Sequence, residues 1–208
     1  MTAAIILAAG LSRRASGTGT ANKLLARNGR GRRMIACSVD TVVRSRANPV
    51  FVVLGHQAEA IRDALAEAGL QPDERLRLLT CDDQAAEGMA ASLRTGIATL
   101  GGTPAESAAI CLADMPLLRP QTLDRMITAL PEAGAAQAIV PAYRGRRGNP
   151  VLWRRALFPA LLSLSGDAGG RELLRRHADQ VLELAVDDPG VLEDFDTPDR
   201  LELFATLV

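Results

Sequence analysis

An apolar run, Ile5-Ile6-Leu7, passes straight into Ala8-Ala9-Gly10, followed by a hydroxyl and three cations: Ser12, Arg13, Arg14 and, further on, Lys23. Small side chains in such a turn let another group approach the backbone closely. Backbone N–H groups there can point at phosphate oxygens, and a following helix N-terminus adds its dipole. The residue types therefore suit a phosphate chain, with Leu7, Ala8, Ala9, Gly10, Ser12, Arg13 and Lys23 as nucleotide-binding candidates. Seven basic residues precede the first acid, Asp40. The loop is neither GxGxxG nor GxxxxGK[ST], so the dinucleotide fingerprint and the P-loop are both excluded as written.

A second chemistry lies downstream. Asp114 follows the apolar stretch Ala108–Leu112 and precedes Met115-Pro116. A carboxylate at the mouth of a buried strand is costly unless it is hydrated, paired or metal-bound. Mg²⁺ suits such a site, since it takes one or two carboxylates and completes its shell with phosphates and water. The plainer role for Asp114 is to cap a helix after Pro116. Asp194-Phe195-Asp196-Thr197-Pro198-Asp199 is a second acidic site, and alternation puts Asp194 and Asp196 on one face of an extended segment. Asp114, Asp194 and Asp196 are the candidate metal ligands.

Something must bring these separated groups together. Short runs apolar on both faces predict strands at Ala3–Ala8, Pro49–Leu54, Leu76–Thr80, Ala108–Leu112, Ala138–Val140 and Val181–Ala185. Helical patterns fall between them at Met34–Ser45, Ala58–Ala68, Met89–Thr99, Pro120–Leu130, Arg154–Leu162, Gly170–His177 and Pro198–Thr206. Pro120 and Pro198 sit at plausible first turns, with Thr197 as a cap. Alternation of this kind predicts an α/β fold: one Rossmann-like, doubly wound, mostly parallel sheet in a single domain over 1–208. Ligands of such sheets bind beyond the carboxyl ends of the strands. The Ala9–Ser12, Gly55–Gln57, Cys81–Gly88 and Ala113–Pro116 segments then share one rim.

Composition narrows the classes. The 208 residues carry 24 basic and 24 acidic side chains, and this balance argues against nucleic acid as a partner. The charge is unevenly spread: Glu183 to Glu202 holds eight acids against Arg200. No run is long enough to span a membrane, and the apolar start is too short for a signal peptide. Three cysteines without CxxC spacing fit a reducing compartment, so a cytoplasmic location is expected. Trp153 and Tyr143 flank the Arg144–Pro150 loop and read as packing residues.

Taken in order, the motifs resemble those of the MobA-like nucleotidyltransferases, nearest to the molybdenum cofactor cytidylyltransferase branch. Leu7-Ala8-Ala9-Gly10-x-Ser12-x-Arg14 with Lys23-Leu24-Leu25 is similar to the family's signature loop. Glu87-Gly88-Met89-Ala90-Ala91-Ser92-Leu93-Arg94-Thr95-Gly96 is similar to its GMxxSLxxG segment, and Leu112-Ala113-Asp114-Met115-Pro116 to its metal motif. Gly145-x-x-Gly148-Asn149-Pro150-Val151, Gly166-Asp167-x-Gly169-x-Arg171 and Asp194-x-Asp196-Thr197-Pro198-Asp199 resemble its RGNPV, GDxGxR and DxDTPED segments.

The resemblance implies a fold of the nucleotide-diphospho transferase type and roles for particular residues. The first loop would wrap a triphosphate, with Lys23 near the α-phosphate and Arg14 beside it as catalytic cations. Gly88 and Ser92 would lie near base and sugar. Asp114, with Asp194 or Asp196, would hold Mg²⁺, while Arg147, Asn149, Asp167 and Arg171 would face the acceptor. The implied reaction is transfer of CMP from CTP to the phosphate of molybdopterin, with a molybdoenzyme as a further partner. Ala8-Ala9-Gly10 stands where guanylyl-transferring relatives have Ala-Gly-Gly, which favours a pyrimidine nucleotide. Alternatives are nucleotidyl transfer to another phosphorylated acceptor, such as a sugar phosphate, and a weakly catalytic cofactor-binding protein. A dinucleotide oxidoreductase lacks its glycine fingerprint.

Overall fold

A computed structural model of the chain describes residues 1–10, 22–81, 84–166 and 170–208, with only the backbone of 84–87. Its elements in order are β1 (Thr2–Ala8), α1 (Met34–Val43), β2 (Val50–Leu54), α2 (Ala58–Glu67), β3 (Leu76–Thr80), α3 (Gln84–Thr99), β4 (Ser107–Leu112) and α4 (Pro120–Ala129). There follow β5 (Ala138–Tyr143), β6 (Arg146–Arg147), β7 (Val151–Arg154), α5 (Phe158–Leu162), α6 (Gly170–Arg176), β8 (Val181–Ala185) and α7 (Pro198–Thr206). All the strands described join one sheet.

Strands β3, β2, β1 and β4 run parallel and adjacent, with Ala4 beside Val50 and Ile5 beside Ile110. Strand β7 then enters antiparallel, pairing Ile110 with Val151, and β5 pairs antiparallel to β7. β8 lies parallel along β5 over Ala138–Ala142, so β6, which pairs with Ala142 and Tyr143, takes the same side of β5 as β7. The expected α/β sheet is thus present, with β7 reversing it.

The two faces of β1 show why these runs are apolar throughout. Ala4, Ile6 and Ala8 pack into one core with α1, α2, α4 and α7, while Ala3 and Ile5 pack into the other with α3 and α5. A two-residue period in a strand covered on both sides leaves no position for a polar side chain.

Six predicted strands and six of the seven predicted helices match within a few residues. Pro120 and Pro198 occupy the first turns of α4 and α7, and the Thr197 hydroxyl accepts from the Arg200 N–H. The α3 pattern predicted from Met89 is also explained. Gly88 breaks the helix at φ 63°, ψ −148°, so the regular part starts one residue later. The exception is Arg154–Leu162: Val151–Arg154 is a strand, and only Phe158–Leu162 is α-helical. Three apolar residues after a proline are too short a signal, and it is pairing with β4 and β5 that makes them extended. Trp153 of that strand is 1 % exposed, a packing residue as expected.

Helix α3 approaches β1 through Gly96, where an added Cβ would stand 2.5 Å from Ile5 Cγ2. Alanine there gains about 1 kcal/mol of helix propensity and loses about 1–3 kcal/mol to overpacking. Gly96→Ala is therefore expected to melt about 3 °C lower in thermal unfolding. An unchanged or higher midpoint would mean that the α3–β1 contact has room to spare.

Candidate active site

Lys23 begins a short 3₁₀ turn, Lys23–Leu25, fixed at both ends. The buried Asn22 side chain accepts from the Leu24 N–H at 3.1 Å, and Leu24 itself is sunk in the core. The turn holds Lys23 over the carboxyl ends of β1 and β4. Its Nζ donates to Asp114 Oδ2 at 2.5 Å and also to Asp196 Oδ1.

Asp114 is held by strand register. The Ala113 N–H donates to the Leu7 carbonyl at 3.2 Å, extending the β1–β4 pairing, and Ala113 and Met115 on either side are buried. Asp114 caps no helix, since the chain after Pro116 does not become helical until Pro120. The helix-start role belongs to Asp188, which is 2 % exposed and accepts from the Arg119 N–H at 3.0 Å and the Thr122 hydroxyl at 2.6 Å.

Asp196 is placed by a strap running from Asp188 to Thr197, which opens with a 3₁₀ turn over Pro189–Leu192 capped by the Asp188 side chain. Phe195 is fully buried, packs edge-on to Phe204 at 5.4 Å, and its N–H donates to the Asp114 carbonyl at 3.2 Å. Upstream, the Val191 carbonyl accepts from the Asn149 N–H at 2.8 Å. The strap passes two close points where only glycine fits. A Cβ on Gly190 would lie 2.2 Å from the Leu117 carbonyl oxygen, and one on Gly148 would lie 2.1 Å from that of Val191. The chain thus ties the Asp114 loop, the Asn149 loop and Asp196 into one rim.

Lys23 and Asp114 side chains are 13 % and 15 % exposed, whereas Asp196 is 36 % exposed. Burial alone pushes the Lys23 ammonium below its ordinary value, but Asp114 and Asp196 outweigh it and hold it above. For Asp114, burial pushes the carboxyl up, Lys23 pulls it down, and the nearby Asp196 opposes that pull; the net direction is upward. Two acids share one cation in a poorly hydrated place, an arrangement that favours any further positive charge.

Other sequence candidates are distributed as follows. Asp194 is exposed, and its backbone carbonyl accepts from Arg200, while of the two tail acids it is Asp196 that reaches Lys23. Leu7, Ala8, Ala9 and Gly10 follow or end β1 on this rim, and Gly10 is exposed. Ala9 is 1 % exposed. Gly88 is the α3 kink, and Ser92 on the regular part is buried, its hydroxyl without a hydrogen-bond partner among the described residues. Arg147 is committed to Glu183 of β8 at 2.6 Å, and Arg171 is exposed on α6. Ser12, Arg13, Arg14 and Asp167 lie outside the described residues. Asp188 and Gly190 are positioning residues that the sequence reading did not single out, and Gly148 was read there only as part of a motif. Their signal, a buried acid beside Pro-Gly and glycines at close contacts, exists only once the segments are packed.

The molecule is thus an α/β fold with two carboxylates around one ammonium at the carboxyl ends of its parallel strands. The chain belongs to the MobA-like NTP transferase domain family, whose model matches residues 4–181, and it is a nucleotidyltransferase by class. It is 30 % identical over 203 residues to the purine catabolism protein PucB of Bacillus subtilis, covering 96 % of this chain and 93 % of PucB. It is 29 % identical over 177 residues to the nicotine blue oxidoreductase of Paenarthrobacter nicotinovorans, covering 83 % and 82 % respectively. Among solved structures, Rv0371c of Mycobacterium tuberculosis superposes with a TM-score of 0.82 at 28 % identity, covering 98 % of this chain and 96 % of that one. The same protein has been crystallised in complex with manganese, with a TM-score of 0.77 at 27 % identity.

The charge balance sets the sign of two substitutions. A carboxyl raised on folding contributes stability only below its unfolded-state value and loses it as pH rises through the folded one, so ionised Asp114 is a net cost at pH 7. Asp114→Asn is expected to leave urea stability at pH 7 unchanged or raised. Lys23→Ala strands two acids without their shared cation and is expected to lose about 3 kcal/mol. Equal losses in both variants would contradict this division.

A separate outcome is expected from the strap. Gly190→Ala must push it off Leu117, loosening Asp196 from Asp114, with about 1–3 kcal/mol of stability lost. Chemical denaturation at neutral pH measures this; a wild-type midpoint would show that the strap shifts freely.

Proposed function

We propose that the protein transfers CMP from CTP to the terminal phosphate of molybdopterin, releasing pyrophosphate. The observation that carries the phosphoryl-transfer reading is the meeting of Lys23, Asp114 and Asp196 at the carboxyl ends of β1 and β4. Membership of the NTP transferase family supports the donor class. The cytidine and molybdopterin assignments rest on the Ala8-Ala9-Gly10, Gly148-Asn149-Pro150 and Gly166 to Arg171 segments and their resemblance to the cytidylyltransferase branch.

The residues fit a divalent cation. Asp114 and Asp196 supply hard oxygen donors that already converge on a cationic group, and the burial of Asp114 disfavours its charge until that charge is neutralised. The manganese complex of Rv0371c supports a divalent ion in this fold, and our reading for this chain is Mg²⁺. When bound, the ion supplies charge neutralisation across the phosphates.

An acceptor phosphate oxygen attacks the α-phosphorus of CTP in line. The new P–O bond forms as the bond from the α-phosphorus to the bridging oxygen breaks, and pyrophosphate departs with that electron pair. The attacking group is already anionic, so no protein base or nucleophile is needed, and catalysis is positioning plus electrostatics. Lys23 stabilises charge on the transferring group. The small residues Ala8 to Gly10 admit the triphosphate with Ser12, Arg13 and Arg14, and Gly88 and Ser92 face base and sugar. Asn149 stands on the acceptor side, joined there by Asp167 and Arg171. Arg147 can join them only by leaving Glu183.

The name of the Paenarthrobacter relative favours a second reading, oxidoreduction, and pyrophosphate separates the two. Release is expected from CTP, and not from GTP, ATP or UTP, when Mg²⁺ and molybdopterin are both present. Release from GTP would move the assignment to guanylyl transfer, and no release from any nucleotide would overturn the reading. Asp114→Asn and Lys23→Ala, assayed below their melting temperatures, are each expected to lose about a thousandfold in turnover.

A further inference from the structure

Lys23 is the only lysine in the chain; apart from two histidines, every other basic side chain is arginine. This single ammonium lies among the described residues where two carboxylates converge, with Asp114 at 2.5 Å and Asp196 also in contact. The choice of side chain has physical content. A guanidinium is a rigid fork that grips carboxylates in a bidentate manner, whereas an ammonium is a compact point charge on a flexible stem. A divalent cation binding the same two carboxylates must take the place of the ammonium, since both need the same oxygens. A triphosphate offers that ammonium new anionic partners within reach of its stem.

Resting on the nucleotidyltransferase reading above, we infer that Lys23 is an exchangeable counterion: it neutralises Asp114 and Asp196 in the ligand-free protein and leaves them for the triphosphate as the divalent cation enters. Two consequences follow. The free protein binds the divalent cation weakly, because each binding event must first displace Lys23. Nucleotide and cation bind cooperatively, because the triphosphate stabilises the displaced lysine, and the coupling is reciprocal. The same exchange keeps the acidic pair from holding a free metal ion between turnovers. Arginine at this position would hold the carboxylates too firmly to exchange.

Having one lysine makes the exchange directly observable. Amine acylation is followed at Lys23 by peptide mass spectrometry, with the N-terminal amine as internal reference, and Mn²⁺ occupancy is followed by electron paramagnetic resonance. Lys23 is expected to be slow to react in the free protein, at least about tenfold faster with saturating Mn²⁺ alone, and slow again when CTP is added without acceptor. In parallel, Lys23→Met and Lys23→Gln are expected to bind Mn²⁺ without nucleotide at least about tenfold more tightly than the wild type, and Lys23→Arg more weakly. If Mn²⁺ binds while Lys23 reactivity stays unchanged, the exchange is overturned, and this arm uses the wild-type protein whatever the variants do. Neutral variants that fold yet bind Mn²⁺ no more tightly overturn it as well. Failure of the functional reading looks different: no Mn²⁺ would bind to wild type even with CTP present.

Discussion

One ammonium between two carboxylates is the interaction on which this site depends. Its members come from distant parts of the chain: Lys23 and Asp114 are 91 residues apart, and Lys23 and Asp196 are 173 apart. Neither Lys23 nor Asp114 could be kept so poorly hydrated by itself, since an isolated buried charge is expelled or neutralised. Together they carry one unit of negative charge in excess. In our proposal that imbalance lets charges be redistributed rather than created when cation and phosphates arrive.

The rest of the architecture serves that meeting. The parallel β1–β4 register puts Asp114 beyond one strand end and the Ala8–Gly10 turn beyond its neighbour. The Asp188–Thr197 strap brings the third charge back across the same edge, and it does so by close backbone contact rather than side-chain reach. Gly190 against Leu117 and Gly148 against Val191 are contacts with no space for a methyl group, so the strap has essentially one path. Asp188, anchored at the start of α4, and Phe195, anchored against Phe204, pin that path at both ends. Backbone constraint of this kind suits a site whose side chains must exchange partners, because the scaffold keeps its place while the charges move.

Legibility in the sequence followed the range of the interaction. Strands buried on both faces announce themselves as continuous apolar runs, so β1, β2, β4 and β5 were visible. β7 was not, because Val151-Leu152-Trp153 is extended only through its neighbours in the sheet. Lys23 and Asp114 were legible as chemistry because each stands out from its local context, a cation after a small-residue turn and an acid after a buried strand. The choice between Asp194 and Asp196 was not legible, since alternation puts both on one face. Burial of Phe195, with its N–H on the Asp114 carbonyl, leaves Asp194 exposed and turns Asp196 toward Lys23. The acceptor-side residues were read from motif spacing alone, and spacing carries no information about Glu183, the partner that holds Arg147.

The same contrast separates what the fold dictates from what it leaves to the ligand. Arg147 and Glu183 are both 45 % exposed, so their ion pair is cheap to open, and an anionic acceptor can compete for that guanidinium in water. Lys23 is largely buried beside Asp114, and it can be drawn away only by a group that compensates the carboxylates it leaves. A donor triphosphate entering with a divalent cation meets that condition, and an acceptor monophosphate alone does not. The degree of burial of each ion pair therefore separates the two sides in our proposal: Lys23 is released only as a cation takes its place on Asp114 and Asp196, while the exposed Arg147–Glu183 pair can open at any time.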